Sequence, residues 1–445
     1  MFIKGFLSIA LFLAVPACSQ VEPSATGGEL NADQDTRMLV PPPVSGEAYP
    51  AFFGAEERSN YLLMGITLDA AYVDNVLPGS TSKPVSDVTY SILPTIALNQ
   101  TTPRQLRRLT YSPGFTFYQP TSELNAIDQT GTLDLQFRLS PYTTLSIRDS
   151  FLQTSNVYDQ PNPLSEGSVS GSLPDSTASI IAPFANQIIN TVTAGISHQV
   201  SQDAMVGGNG TFALLDYPNP SQAQGLSNSS TSDGSAFYSR RLGKMQYLGL
   251  TYQFAHVLAG LRNVHSETLT NTLLPFYTLY LNRTSSLSIS FGAQHLNASE
   301  SRLPTYTSWS PITMASFGWQ AKRANFAASY SRAIAAGGGI LGAYTANAAN
   351  ASFGWQFARS WTTGFGATYS TLKNVTPLLS QGVPGGRTVS GRGSLQHPMG
   401  QHFDLSFGYQ RLQQSYSGIA VIANSPDSNR EFVSVIYQFI RPLGR

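Results

Sequence analysis

Catalysis needs acids, bases, nucleophiles or metal ligands at defined spacing, and the histidines are the first candidates. His198, His256, His265, His295, His397 and His402 are scattered along the chain. His397 and His402 flank one short segment, but neither has a Cys or carboxylate at ligand spacing. Turn or interface histidines are expected, with no metal and no cofactor. No Gly-x-Ser-x-Gly elbow is present to present a serine nucleophile. "GGNG" (207–210) and "AAGGGILG" (335–342) are glycine-rich, yet no Lys-Ser/Thr follows to hold a phosphate. Close strand packing and a flexible external loop are expected there instead. His265 and Ser266 would suit acyl transfer, but they fall in a long connector without a supporting Asn framework. The chain is expected not to be an enzyme.

The charged residues follow a different logic. "HFDLSFGYQ" (402–410) sets Phe403, Leu405, Phe407 and Tyr409 on one parity, with Asp404, Ser406, Gly408 and Gln410 on the other. "TLDLQFRLS" (132–140) sets Leu133, Leu135, Phe137 and Leu139 against Asp134, Gln136 and Arg138. "LSIRDSF" continues with Leu145 and Ile147 against Ser146 and Arg148. "SLSISFGAQ" and "FVSVIYQF" repeat the scheme near residues 286–294 and 432–439. A period of two means a β-strand whose two faces meet different surroundings. A charge facing lipid at mid-bilayer costs about 2–4 kcal/mol. The parity carrying Asp134, Gln136, Arg138, Arg148, Arg392 and Asp404 is therefore expected to line an aqueous lumen. Asp149 shares parity with Ile147 and is expected above the membrane, near the external end of its strand.

The rest of the chain supports lipid on one side. Charged residues make up 11% of the 445 residues, against about 25% in soluble proteins. Aromatics also reach 11%, and the formal net charge of +1 gives no broad basic field for nucleic acid. "MFIKGFLSIALFLAVPACSQ" reads as a signal peptide over 1–19, too short to span a bilayer. Cys18 is either lost with that leader or stands where a bacterial lipoprotein is acylated. Residues 20–58 are rich in Pro, Ser, Gly and acids and read as a flexible periplasmic linker.

From 59 to 445 the chain offers about 18 period-two segments of roughly ten residues, with 16 as the alternative, each the length of a tilted membrane strand. Connectors alternate short and long. Short ones include 139–144, 201–204, 242–245 and 397–402; long ones include 74–86, 152–187, 217–234, 258–267, 296–308, 336–344 and 413–430. Tight periplasmic turns and large external loops sort in this way, and a soluble sandwich has no reason to do so. No later stretch reaches 18 uninterrupted apolar residues. A chain that spans lipid without helices must close into a barrel to satisfy its backbone. The fold class expected is all-β: a transmembrane antiparallel up-and-down β-barrel. Trp309, Trp319, Trp355, Trp361, Tyr409, Tyr437 and Phe439 lie towards strand ends, where aromatic girdles meet the lipid headgroups.

"AYVDNVLPG", "SDVTYSILPTIAL", "YSPGFTFYQP" and "TLDLQFRLSPYTTLSIRDSF" resemble, over about residues 60–160, the outer-membrane β-barrel porins linked in some bacteria to exopolysaccharide gene clusters. The resemblance implies a barrel opened by a strand ending near Asp74-Asn75, and an association with polysaccharide. The stretch from Arg430 to Phe439 resembles the terminal signal read by the barrel-assembly machinery, although "IRPLGR" follows its last aromatic.

Outer-membrane lipid and that machinery are the expected partners, with small polar solutes or polysaccharide in the lumen. The first expectation is a porin-like channel for passive diffusion of small hydrophilic solutes. The alternatives are an accessory barrel for exopolysaccharide export and a structural or adhesive barrel with a closed lumen. Opposed charges across the lumen are expected to favour small polar solutes. The third external loop, 152–187, is expected to fold inward and narrow the channel.

Overall fold

The computed structural model describes residues 60–78, 83–156, 158, 185–223, 225–261, 264–282, 284–301, 304–375, 385–400, 402–417 and 427–442. The expected leader (1–19) and linker (20–58) lie outside the described residues, as do residues 159–184 of the third external loop.

Eighteen strands make up almost all of the described chain. They are β1 (Tyr61–Val73), β2 (Asp87–Thr101), β3 (Gln105–Tyr118), β4 (Ala126–Ser140), β5 (Thr143–Thr154) and β6 (Gln187–Ser201). Next come β7 (Ala204–Asp216), β8 (Asn228–Gly243), β9 (Gln246–Leu261), β10 (Val264–Asn282), β11 (Ser285–Glu300) and β12 (Tyr306–Gln320). The last six are β13 (Ala324–Gly337), β14 (Ile340–Ala358), β15 (Trp361–Asn374), β16 (Gly385–Pro398), β17 (Phe403–Ser417) and β18 (Asp427–Pro442).

Each strand pairs antiparallel with the next, and β18 pairs with β1 from Tyr61↔Pro442 to Val73↔Arg430. That last ladder closes the sheet on itself and leaves no edge at the junction of first and last strands. The closure is also polar. Asp69 accepts from Arg430 and from Ser434 Oγ at 2.6 Å, joining β1 to β18 on the inner face.

Alternation sorts the side chains as a barrel in lipid requires. Along β1, Met64, Ile66, Leu68 and Tyr72 are exposed while Asp69, Ala71 and Val73 are buried. The neighbouring ladder places Ile92 and Ile96 beside Leu68 and Met64, so the apolar parity continues around the outside. Phe291, Phe365, Leu109 and Val433 carry the belt onto other strands. Charges on the outward parity, such as Arg332 beside Thr313 and Glu431 beside Tyr409, are exceptions, and so is Asp149. It lies mid-strand rather than at the external end of β5, facing outward beside Leu133 and Val192. Its carboxylate is satisfied there by Asn190, whose Nδ2 donates to Oδ1 at 2.9 Å.

Both ends of the barrel wall lie at the side of the short turns, the periplasmic side by this logic. Three connectors expected to be long are short. Residues 262–263, 301–305 and 338–339 are all that separate the strands at those positions. The ladders continue instead, to Leu261↔Val264 in one case and Ala336↔Ala343 in another. His265 and Ser266 therefore belong to β10, not to a loop.

The main departure from a simple wall is the β13–β14 hairpin. β13 leaves β12 above Thr313↔Arg332, but stays paired with β14 as far as its turn. Gly338 and Gly339 form that turn with φ of 66° and 90°. Positive φ at both central positions is the requirement of a type I′ turn, which glycine meets without strain. The "AAGGGILG" stretch is thus a tight turn between strands, not the expected flexible external loop. Ile334, Ala335, Ala336, Ala343, Tyr344 and Ala346 are all buried. Small side chains let the end of β13 and the turn leave β12 for the interior, while β14 stays paired with β15 as far as Tyr344↔Asn374.

Candidate functional site

The candidate site is the lumen. Cross-strand register puts Asp134, Gln136 and Arg138 of β4 on the face opposite the apolar Leu133, Leu135 and Phe137. Arg108 of β3 and Arg148 of β5 stand directly beside Asp134, making a row Arg108–Asp134–Arg148 along the inner wall. Arg148 Nη2 lies 3.7 Å from Asp134 Oδ2, and the two side chains are 40% and 15% exposed. Opposite charges on neighbouring strands compensate one another side by side, so these two are not opposed across the lumen. Arg392 of β16 is inward and exposed, beside Gln410 of β17. Asp404 shares the inward parity but is only 1% exposed, so it is packed into the wall rather than open to water.

The sequence pattern did not single out three aromatic residues that shape this wall. Phe237, Phe276 and Phe432 face inward, each directly across from a glycine: Gly207, Gly249 and Gly408. A Cβ on any of these glycines would collide with the facing ring. The rings therefore lie flat over the glycines, covering bare backbone while standing clear of the lumen. The Gly-Phe pairing is visible only once register is known. Replacing Gly249 with Val should lift the Phe276 ring into the lumen. The expected outcome is a loss of about 1–3 kcal/mol of stability together with a smaller single-channel conductance; equal conductance would show that the ring does not border the passage.

At the external end the lumen is crossed by protein. Gln294, inward on β11, clasps the backbone of Ile334: the Ile334 amide donates to Oε1 at 2.7 Å, and Nε2 donates to its carbonyl at 3.4 Å. Ile334 and Ala343 pack on Leu296 and Ala298 of the same inner wall. The hairpin tip reaches further round, where Gly338 N donates to Ser229 Oγ at 3.4 Å and Ser227 N donates to Gly339 O at 3.0 Å. Its other face joins Ala335 and Tyr344 to Leu215, Leu226, Leu372 and Tyr416 in one buried cluster. These residues come from β7, the β7–β8 connector, β15 and β17, so the cluster forms an apolar septum across the lumen.

The beginning of the third external loop also leans inward. Tyr158 packs against Leu412 of β17 and the cluster of Val73, Val76 and Tyr118. Its hydroxyl is 2.7 Å from Ser428 Oγ. Ser428 gives its own proton to Asn75 O at 2.6 Å, so Tyr158 is the donor. Burial pushes this phenol above its ordinary pKa and keeps that proton in place. The expected constriction by 152–187 otherwise falls on residues that are not described, and the septum that is visible comes from a different hairpin.

The expected girdle residues all face outward. Trp319, Trp355, Trp361, Tyr437 and Phe439 lie near the periplasmic ends of their strands. Trp309, 69% exposed, lies in the external half of β12, and Tyr409 lies at the middle of β17. Trp361 stacks on His397 with ring centroids 4.4 Å apart. His397 and His402 do not converge: His397 Nδ1 meets Ser360 O, and His402 Nδ1 meets Gln438 O, each at 3.0 Å.

No protein-family model and no curated protein sequence matches the chain. Among solved structures it is similar to OccAB4 of Acinetobacter baumannii, with 10% identity and a TM-score of 0.40 over 86% of this chain and 100% of that one. It is also similar to OccK2 (OpdF) of Pseudomonas aeruginosa in complex with glucuronate, with 10% identity and a TM-score of 0.41 over 85% and 98%. The siderophore receptor PiuA of Acinetobacter baumannii gives 10% identity and a TM-score of 0.44 over 85% and 82%. The closed wall and its apolar belt, with polar groups turned inward, make the chain an integral β-barrel of the outer membrane of a Gram-negative bacterium.

Proposed function

We propose that the barrel is a channel for passive diffusion of small hydrophilic solutes, with a preference for anions. The observation that carries this reading is the charge of the inner wall below the septum. Arg108, Arg138, Arg148 and Arg392 face inward there, against Asp134 and Asp233 as part-exposed carboxylates of the same face, while Asp69, Asp128 and Asp404 are buried. Inward cations in a confined aqueous space raise the local concentration of small anions. Asp134, Gln136, Arg138, Arg148 and Arg392 are the proposed pore-lining set, with Asp404 holding the wall beside them. The barrel-assembly machinery is proposed to insert it by reading β18.

Planar-bilayer recording tests the reading. In a KCl gradient the reversal potential is expected to favour chloride, and Arg148→Glu with Arg392→Glu should move it towards potassium. Absence of any conductance at any voltage would end the proposal.

The septum favours a second reading, a structural or adhesive barrel whose lumen stays shut. Exopolysaccharide export, which the resemblance implies, would need a wide continuous lumen, and the septum stands against it. The bilayer trace separates these, because a permanently shut barrel gives no steps.

A further inference from the structure

The inward hairpin leaves an unfinished ladder behind it. The β12–β13 register runs from Gln320↔Asn325 to Thr313↔Arg332 and then stops. Above it, residues 306–312 of β12 pair with β11 on one side, and among the described strands nothing pairs with the other side. An open strand edge is costly in a membrane wall, where no water satisfies the backbone.

Continuing the same register would set Ile312 against Ala333, Pro311 against Ile334, Ser310 against Ala335 and Trp309 against Ala336. The parities agree. Pro311 and Trp309 face outward, and Ile334 and Ala336 would join them there; Ser310 and Ala335 would face the lumen. Ile334 and Ala336 are apolar, so they suit lipid as well as they suit their present seat inside the wall.

We propose that the β13–β14 hairpin is a gate with two seats. It rests on this protein being a channel. In the closed seat, Gln294 holds Ile334 and the hairpin completes the septum. In the open seat, the hairpin swings about Arg332–Ala333 and zips onto the free edge of β12, carrying with it the end of β15, which stays bonded to it through Tyr344↔Asn374 and Val375 N donating to Ala343 O at 3.1 Å. That movement finishes the wall and removes Ala335 and Tyr344 from the septum. Closed and open seats exchange one set of backbone partners for another, as a two-state element requires.

The test is a cysteine pair, Ser310→Cys with Ala335→Cys. In the closed seat Ala335 belongs to the septum face, turned away from the β11–β12 wall. In the open seat the two residues are direct cross-strand neighbours, within disulfide reach. Mild oxidation of the folded protein in membranes is expected to form the bond, read as a gel-mobility shift reversed by dithiothreitol. Each single-cysteine variant controls for Cys18, the one native cysteine. Gln294→Ala, which loses both clasping hydrogen bonds, is expected to speed cross-linking by about tenfold. The cross-linked barrel should show larger conductance steps that fall back on reduction. A folded barrel that never cross-links overturns the gate. A barrel that cross-links without any conductance confirms the movement but overturns the channel reading.

Discussion

Asp69→Ala is expected to destabilise the closed barrel by about 3–5 kcal/mol, the cost of stranding one member of a buried ion pair. Asp69 and Arg430 are 5% and 14% exposed and sit 361 residues apart, on the first and last strands. Ser434 Oγ donates to the second carboxylate oxygen at 2.6 Å. Arg430 also donates to Gln410 Oε1 at 2.9 Å and lies 5.1 Å from the centroid of the Phe432 ring. Without Asp69 the guanidinium keeps Gln410 and the ring faces of Phe432 and Tyr158, and Ser434 loses its acceptor. The measurement is the urea midpoint of the barrel in lipid vesicles, together with the temperature at which its compact gel band is lost. Asp69→Asn keeps an acceptor and should cost clearly less. The double variant Asp69→Leu with Arg430→Met should recover much of the loss, since apolar replacement of a buried pair is often neutral. An unchanged midpoint in Asp69→Ala would mean that backbone pairing alone closes the barrel.

The second large effect tests which face meets lipid. Phe291 lies near the middle of β11, faces outward and is 63% exposed. Phe291→Arg is expected to cost about 2–4 kcal/mol, the depth-dependent cost of a cation facing hydrocarbon. Gln136→Arg adds the same charge on the inward parity of β4 and should change stability by no more than about 0.5 kcal/mol, as a solvated substitution does. The urea midpoint in vesicles reads both, and the reversal potential reads the second, which should move further towards chloride. Equal costs for the two arginines would remove the distinction between the faces on which the pore assignment stands.

Much of the architecture could be read from individual segments. Asp134, Gln136 and Arg138 alternate with Leu133, Leu135 and Phe137 within seven residues, and a strand cannot turn both sets the same way. The count of 18 strands and the outward girdle rest on that same local periodicity. Connector lengths were less legible. Residues 258–267 and 336–344 read as loops because Gly, Ser and charge look like turn composition, whereas paired extensions of β9–β10 and β13–β14 run through both. Asp149 was misplaced for a related reason. Its outward position is tolerated because Asn190, 41 residues away, supplies a hydrogen bond that no local pattern shows.

The sequence by itself determined the strands, their number and which parity meets lipid, because alternation is a property of a few consecutive residues and the cost of a charge in hydrocarbon orients it. Only the tertiary structure decided that the lumen is crossed, and by which hairpin. "RAIAAGGGILGAY" is apolar enough for lipid and small enough for the interior, so its own residues accept either seat. The choice is made by partners far away in the chain. Gln294 holds Ile334 from 40 residues off, Ser229 meets Gly338 from 109, and Leu215 and Tyr416 close over Tyr344 from opposite walls. Contacts of that range exist only after the sheet has closed, which brings Asp69 of β1 against Arg430 of β18, at the other end of the chain.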